Sequence, residues 1–330
     1  MNKKLTVVMY HYVRPIAGSR YPSIHGLELA DFEGQIDYID RYYSVVSVSD
    51  VVAAAKGGRP LPDYPLILSF DDGYSDHYRY VLPVLKRRGK TGVFFPPVCA
   101  VSEREMLDVN KIHLILASTS DHESLVRNIE SAVDSARGEF ALLSLTEYRE
   151  QLRKASRFDT AEDIFIKRML QHALPESLRN RITGDMFRRH VTEDERGFAD
   201  EFYMSEENLG EMLAEGMEVG SHGSAHYWLN SLSPKDQAMD IDRSLDMLER
   251  IGVSRQGFYF CYPYGSYTSE TLNILSDRNC AAAFTTQVAL VHLDSASLLE
   301  LPRLDTNDLP KSGLAAQVSW TRDALEASQQ

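Results

Sequence analysis

The sequence predicts an α/β protein, a distorted (β/α) barrel of seven or eight strands interrupted by an all-helical insertion. Two observations carry that expectation. Across residues 1–101 and 203–330 short apolar runs alternate with helical patterns, and a helix between successive strands implies parallel pairing with right-handed crossovers. Across residues 102–202 the alternation stops and only helical periodicity remains. With 330 residues, 43% of them hydrophobic, the chain can bury one barrel-sized core and still carry an insertion.

The first strand is read in "LTVVMYHY", followed by a helix around Ala30 to Arg41, a strand in "YSVVSV" and a short helix through Val51 to Ala55. In "PLILSF", Leu66, Ile67, Leu68 and Phe70 are apolar on both faces, as in a strand buried inside a parallel sheet. A helix from about Asp76 to Arg88 leads to "TGVFF". The insertion then reads as "DHESLVRNIESAV", "SLTEYREQLRKA" opening with a Ser144/Glu147 capping box, "TAEDIFIKRMLQHAL" and "ESLRNRI". It is expected to serve as a lid, a substrate or oligomer contact, or a buttress.

The strands resume at "GMEVGSH". Ser233 then caps a helix, Pro234 takes the first helical position where its missing N–H costs nothing, and Ala238, Ile241, Leu245, Leu248 and Ile251 recur at spacings of three or four before Gly252 ends it. "GFYFCYP", a helix near Glu270 to Asn279, "CAAAFTT" and "LPRLD" complete the pattern.

Composition excludes several classes. A net charge of -13, from 48 acidic against 35 basic residues, argues against non-specific binding to nucleic acid or anionic lipid. Three cysteines, Cys99, Cys261 and Cys280, are odd in number and follow no metal-ligand spacing, which suits a reducing compartment. No stretch approaches the roughly 18 to 20 apolar residues of a membrane span. "MNKKLTVVMYHYVRP" is broken by His11 and Arg14 before it could read as a signal peptide, so a cytoplasmic chain is expected.

"LILSFDDGYSDHY" places Asp71 and Asp72 side by side where the buried strand ends. Asp-Asp-Gly is also ordinary turn chemistry. Carboxylates at the carboxyl end of such a strand nevertheless sit where α/β enzymes place their chemistry. Downstream, "GMEVGSHGSAHYWLN" offers His222 and His226, which face one way if a helical turn begins there and then suit one metal ion. One aspartate completes an Asp-His-His set with open positions, and its neighbour stays free as a base.

These residues carry a resemblance. "SFDDG" is similar to the first motif of the polysaccharide deacetylase (NodB-homology) family of carbohydrate esterases, "SHGSAH" to its second motif, His-Ser/Thr-x-x-His, and "YPYG" at Tyr262 to Gly265 to the core of its third. The resemblance covers roughly residues 1–100 and 203–310. It implies Asp71 as general base, Asp72, His222 and His226 as ligands of one divalent metal, and the backbone N–H near Tyr264 as an oxyanion donor. Zinc is the default ion, with cobalt, nickel, iron or manganese accepted by the same donor set.

Two departures follow. The family's third motif carries an Arg shortly before its Pro-Tyr, where this chain has "FCYPYG", and its late Leu-x-His motif has no counterpart after residue 290. Biofilm poly-N-acetylglucosamine deacetylases place the acid His on an N-terminal strand in a "YH" motif, and "VVMYHYV" is similar to it. The resemblance thus nominates His11 as general acid and Arg303 of "LPRLD" as the residue orienting Asp71. Tyr74, Pro263, Gly265 and Trp228 are the substrate-binding candidates, with Tyr227 beside them. The remaining histidines, His77 among them, read as solvated or structural.

The expected activity is metal-dependent removal of an N-acetyl or related acyl group from an amino sugar, with a cytoplasmic glycan precursor as substrate. Hydrolysis of a non-sugar linear or cyclic amide is the second enzymatic reading. An inactive barrel serving as a binding subunit is the reading from another class, and a free base beside three metal ligands speaks against it.

Overall fold

A computed structural model describes residues 4–155 and 159–326. The chain divides into two compact units, Met1–Pro15 with Gly26–Glu105 and Ala199–Gln330, and Ile16–His25 with Met106–Phe198. Ile16–His25, which the alternation assigned to the barrel, belongs with the helices because Tyr21 packs edge-on against Phe198 and Arg20 donates to the Val191 carbonyl.

The first unit is α/β. Its strands are β1 (Lys4–Tyr10), β2 (Val13–Arg14), β3 (Leu27–Glu28), β4 (Ser44–Val45), β5 (Pro65–Asp71), β6 (Val93–Phe95), β7 (Glu218–Val219), β8 (Tyr259–Cys261), β9 (Ala282–Phe284), β10 (Val291–His292) and β11 (Leu304–Asp305). The main sheet runs β10-β1-β5-β6-β7, with β11 on β1 and β4 on β5. All its pairings are parallel except that of β10 with β1.

One continuous barrel sheet is not what forms. β8 and β9 make a separate parallel pair, joined to their neighbours at the bridges Ser221–Phe260 and Phe284–Leu301 and by the Ala283 N–H to the Leu298 carbonyl at 2.7 Å. Glycine is required at Gly220, just past β7, where a Cβ would lie 2.5 Å from the Phe95 ring and 2.8 Å from the Tyr259 carbonyl.

β5 is buried along its whole length, as its uninterrupted apolar run requires. Strand periodicity then decides what meets. Leu5, Val7, Ile67, Val93, Phe95, Cys261, Ala282, Phe284 and Leu301 form one cluster, and Leu66, Leu68, Phe70, Phe94, Phe260 and Ala283 join the larger cluster on the opposite faces. Ser69 and Asp71 lie two and four residues beyond Ile67, and Arg303 two beyond Leu301, so all three share the face of the smaller cluster.

The helices follow their signals. Ser233 accepts from the Asp236 N–H and opens the helix Pro234–Arg250, and Gly252 follows it with φ 96. The single helix expected over Asp76 to Arg88 is instead a π turn, His77–Val81, leading into Leu82–Arg87. Pro83 explains the break, since it has no N–H to continue an α ladder. In the second unit, Ser144 and Glu147 make the reciprocal capping box of the helix Leu145–Leu152, and Arg149 pairs with Glu130 through two bonds of 2.5 Å. Among the described residues no helix is long and apolar enough to cross a membrane.

Candidate active site

Asp71 ends β5 and is 2% exposed. Arg303, 1% exposed, grips it with both guanidinium arms, Nη1 to Oδ1 at 2.9 Å and Nη2 to Oδ2 at 2.8 Å. The remaining Arg303 donors reach the Thr285 carbonyl (2.8 Å), Ser69 Oγ (3.3 Å) and Cys261 Sγ (3.2 Å). Such a buried fork is satisfied on every side, unlike a surface pair with Asp305. Burial works against the Asp71 charge, but Arg303, His222 and His11 outweigh it and hold the carboxyl below its ordinary value. Asp71 is therefore a carboxylate at neutral pH; Oδ2 also accepts from Cys261 Sγ at 3.5 Å, and Oδ1, on Arg303 Nη1, keeps a lone pair for a proton.

Asp72 turns away from its neighbour because its backbone is left-handed, at φ 72. Its Oδ1 lies 3.4 Å from His222 Nε2 and 3.3 Å from His226 Nε2, while Oδ2 accepts from the Tyr74 hydroxyl at 2.6 Å. Burial raises the Asp72 carboxyl, and hydrogen bonding to His222 and His226 more than offsets it, leaving it well below the ordinary value. Tyr74, expected to face a sugar, is 1% exposed and stacked on Tyr12 at 4.3 Å. It supports the carboxylate rather than a ligand, since burial and the Asp72 charge keep its phenol protonated and donating.

The histidines converge without the expected helical turn. Residues 222–228 form a loop in which Gly223 and His226 have φ of 72 and 55. Asp240, on the helix Pro234–Arg250, bends that loop by accepting from the Ser224 and Ala225 N–H groups at 2.9 Å each. His222 Nδ1 donates to the Cys261 carbonyl at 2.8 Å, which leaves Nε2 as the coordinating nitrogen. Asp72, His226 and Tyr264 are all non-glycine residues with positive φ, a strained state that concentrates at functional sites.

Among the described residues, two groups of side chains are close enough to hold a metal ion, Asp72/His222/His226 and Asp71/His222/Cys261. The first fits better. Burial raises the Cys261 thiol, so it is a poor ligand in its neutral form, and Arg303 already occupies Asp71. At His222, burial is outweighed by Cys261 and the two aspartates, which hold the ring well above its ordinary pKa, whereas burial keeps His226 below it. A cation entering the first group would displace a proton from His222.

The other sequence candidates surround this cluster. His11 follows β1 with a side chain 41% exposed, its Nε2 3.9 Å from Asp71 Oδ2. His77 is fully buried, pushed down to about 4 chiefly by burial, and donates from Nε2 to the His11 carbonyl at 2.8 Å. The turn Pro263–Gly265 places the Tyr264 ring 4.7 Å from His226 and parallel to Trp228, with centroids 4.5 Å apart. Trp228 and Tyr227 are exposed, while Pro263 is buried and Gly265 packs against Thr286. Sequence reasoning missed Asp240. The available signal was its place with Gln237, Ile241, Ser244 and Leu248 on the buried face of its helix.

Comparisons with known proteins bear on part of the sequence and on the fold. Residues 182–283 match the family model for polysaccharide deacetylase. Poly-β-1,6-N-acetyl-D-glucosamine N-deacetylase of Escherichia coli K12 is 43% identical over 44 residues, which are 13% of this chain and only 6% of that protein. Among solved structures, the Streptococcus pyogenes deacetylase PplD in complex with acetate is 16% identical, with 95% of this chain and 96% of that one covered at a TM-score of 0.58. IcaB from Ammonifex degensii is 20% identical, with 99% and 98% covered at 0.55. At these identities the structural likeness is one of fold. The chain is thus similar to the polysaccharide deacetylases in sequence over residues 182–283 and to solved deacetylases in fold over nearly its whole length.

Proposed function

We propose that the chain is a metal-dependent hydrolase that removes an N-acetyl or related acyl group from an amino sugar. One observation carries the reading: an ionised carboxylate, Asp71, is locked by Arg303 beside three converging donors it does not join. A binding module has no use for a spare base at that position. Asp72, His222 and His226 would hold the ion, zinc by default, which when bound polarises the acyl carbonyl and acidifies water.

The chain's own residues divide the remaining work. Asp71 takes the proton of the attacking water. The backbone N–H of the Tyr264 turn receives the developing oxyanion. The carbon–nitrogen bond then breaks, and His11, exposed and 3.9 Å from Asp71, gives the departing amine its proton. The stacked pair of Trp228 and Tyr264 offers a flat apolar face to a sugar ring.

Acetate release from N-acetylglucosamine, its oligomers and its polymer tests this reading. Zinc- or cobalt-loaded protein is expected to release acetate, and chelator-treated protein is not. Fully loaded protein that releases acyl groups from none of these sugars would overturn it. A preference for mono- or disaccharides over polymer would further identify the substrate as a precursor.

His11→Ala is expected to bind metal as the parent does and to turn over about a hundredfold or more slowly on the amide. The loss should shrink on an activated ester, whose leaving group needs no proton. Equal losses on amide and ester would make His11 a structural residue.

A further inference from the structure

Resting on Asp72, His222 and His226 as metal ligands, we infer that Asp240 is the positioning residue that sets the ligand loop, and that Gly223 supplies the space its carboxylate needs. The loop is held from a single helix. Asp240 Oδ2 and Oδ1 each accept one N–H, from Ser224 and Ala225, two of the three residues between the histidines. One helical turn on, Ser244 Oγ lies 2.6 Å from Ser221 Oγ, which in turn accepts the Gly223 N–H at 3.1 Å. Asp240 and Ser244 both belong to the buried face of Pro234–Arg250, so the loop is registered against that helix at two adjacent points.

Gly223 completes the device. Its φ is 72, and a Cβ there would lie 2.6 Å from Asp240 Oδ2. A side chain at 223 is thus excluded by the carboxylate as well as by the backbone. Ser or Thr, written into the second motif that "SHGSAH" resembles, would at this position push against the Asp240 carboxylate that holds the loop. Asp240 itself touches neither Nε2 atom and neither aspartate of the site. It acts on the metal through the backbone, by fixing the left-handed His226 at 3.3 Å from Asp72 Oδ1.

Zinc titration of the metal-free, full-length protein against a chromophoric chelator tests the assignment, with the melting temperature of each metal-free variant measured alongside. Asp240→Ala is expected to weaken zinc binding on the order of tenfold to a hundredfold, the usual effect of removing an outer-shell support. Asp240→Asn, which keeps an acceptor for only one of the two N–H groups, should fall between it and the parent. Gly223→Ala should also weaken binding, and by less in the Asp240→Ala background, where the clashing carboxylate is gone.

A purely structural role would lower the metal-free melting temperature and leave zinc affinity alone. Parent-like zinc affinity in Asp240→Ala and Asp240→Asn would overturn the inference. Should Asp240→Ala fail to fold, Asp240→Asn and Gly223→Ala decide the matter by the same criterion. A parent protein that binds no stoichiometric zinc would instead overturn the underlying metal reading.

Discussion

Asp71→Asn is expected to slow acyl release by on the order of a hundredfold to ten-thousandfold while zinc stays bound, because that range is what a positioned general base contributes. The geometry keeps the proposed base apart from the proposed ligand. Both Asp71 oxygens face Arg303, whereas Asp72 Oδ1 faces the two histidines. An amide preserves the shape and one hydrogen bond to Arg303 but cannot take a proton at neutral pH. Asn is preferable to Ala for this test, since an unpartnered buried guanidinium costs about 3–5 kcal/mol and would confuse lost folding with lost chemistry. Single-turnover rate and metal content, measured on one preparation, settle the outcome. Loss of metal together with rate would place Asp71 among the ligands, and an unchanged rate would remove it as the base.

His222→Ala and His226→Ala should each abolish turnover through loss of the metal, because each would delete one of the three side chains proposed to hold it. Zinc retained after dialysis is the measurement, and retention at the parent level in either variant would rule out that residue as a ligand. The two variants should differ in stability. His222 also donates to the Cys261 carbonyl, a bond between the ligand loop and β8, so its removal strands a buried acceptor at a cost of about 1–3 kcal/mol. The metal-free His222→Ala protein is therefore expected to melt below metal-free His226→Ala.

Much of this arrangement was legible in the sequence because strand chemistry is periodic. An apolar run of strand length ending in two carboxylates fixed where Asp71 and Asp72 would lie, and alternation from Ile67 and Leu301 carries Asp71 and Arg303 to a shared face. The conformation of the histidine loop was not legible. A spacing of four suggests a helical turn, but Gly223, His226 and the clamp from Asp240 impose a different path to the same convergence.

Tyr74 shows the same limit. Beside a motif it looked like a sugar platform, yet the left-handed backbone at Asp72 brings it inward against Oδ2. Asp240 was hidden by its company, since Asp236, Asp242 and Asp246 on the same helix are ordinary surface acids. The break between β7 and β8 also depends on packing. The close approach of Phe95 and Tyr259 that only glycine at 220 admits is likewise something no single-chain periodicity records.

Anomalous diffraction at the zinc edge, from zinc-soaked crystals of the parent protein, tests the central claim most directly. Two candidate groups share His222, so one peak cannot fill both. One peak is expected about 2.0–2.2 Å from Asp72 Oδ1, His222 Nε2 and His226 Nε2, with Asp71 still on Arg303. A peak bound by Asp71, His222 and Cys261, or ordered zinc only outside both groups, would contradict it.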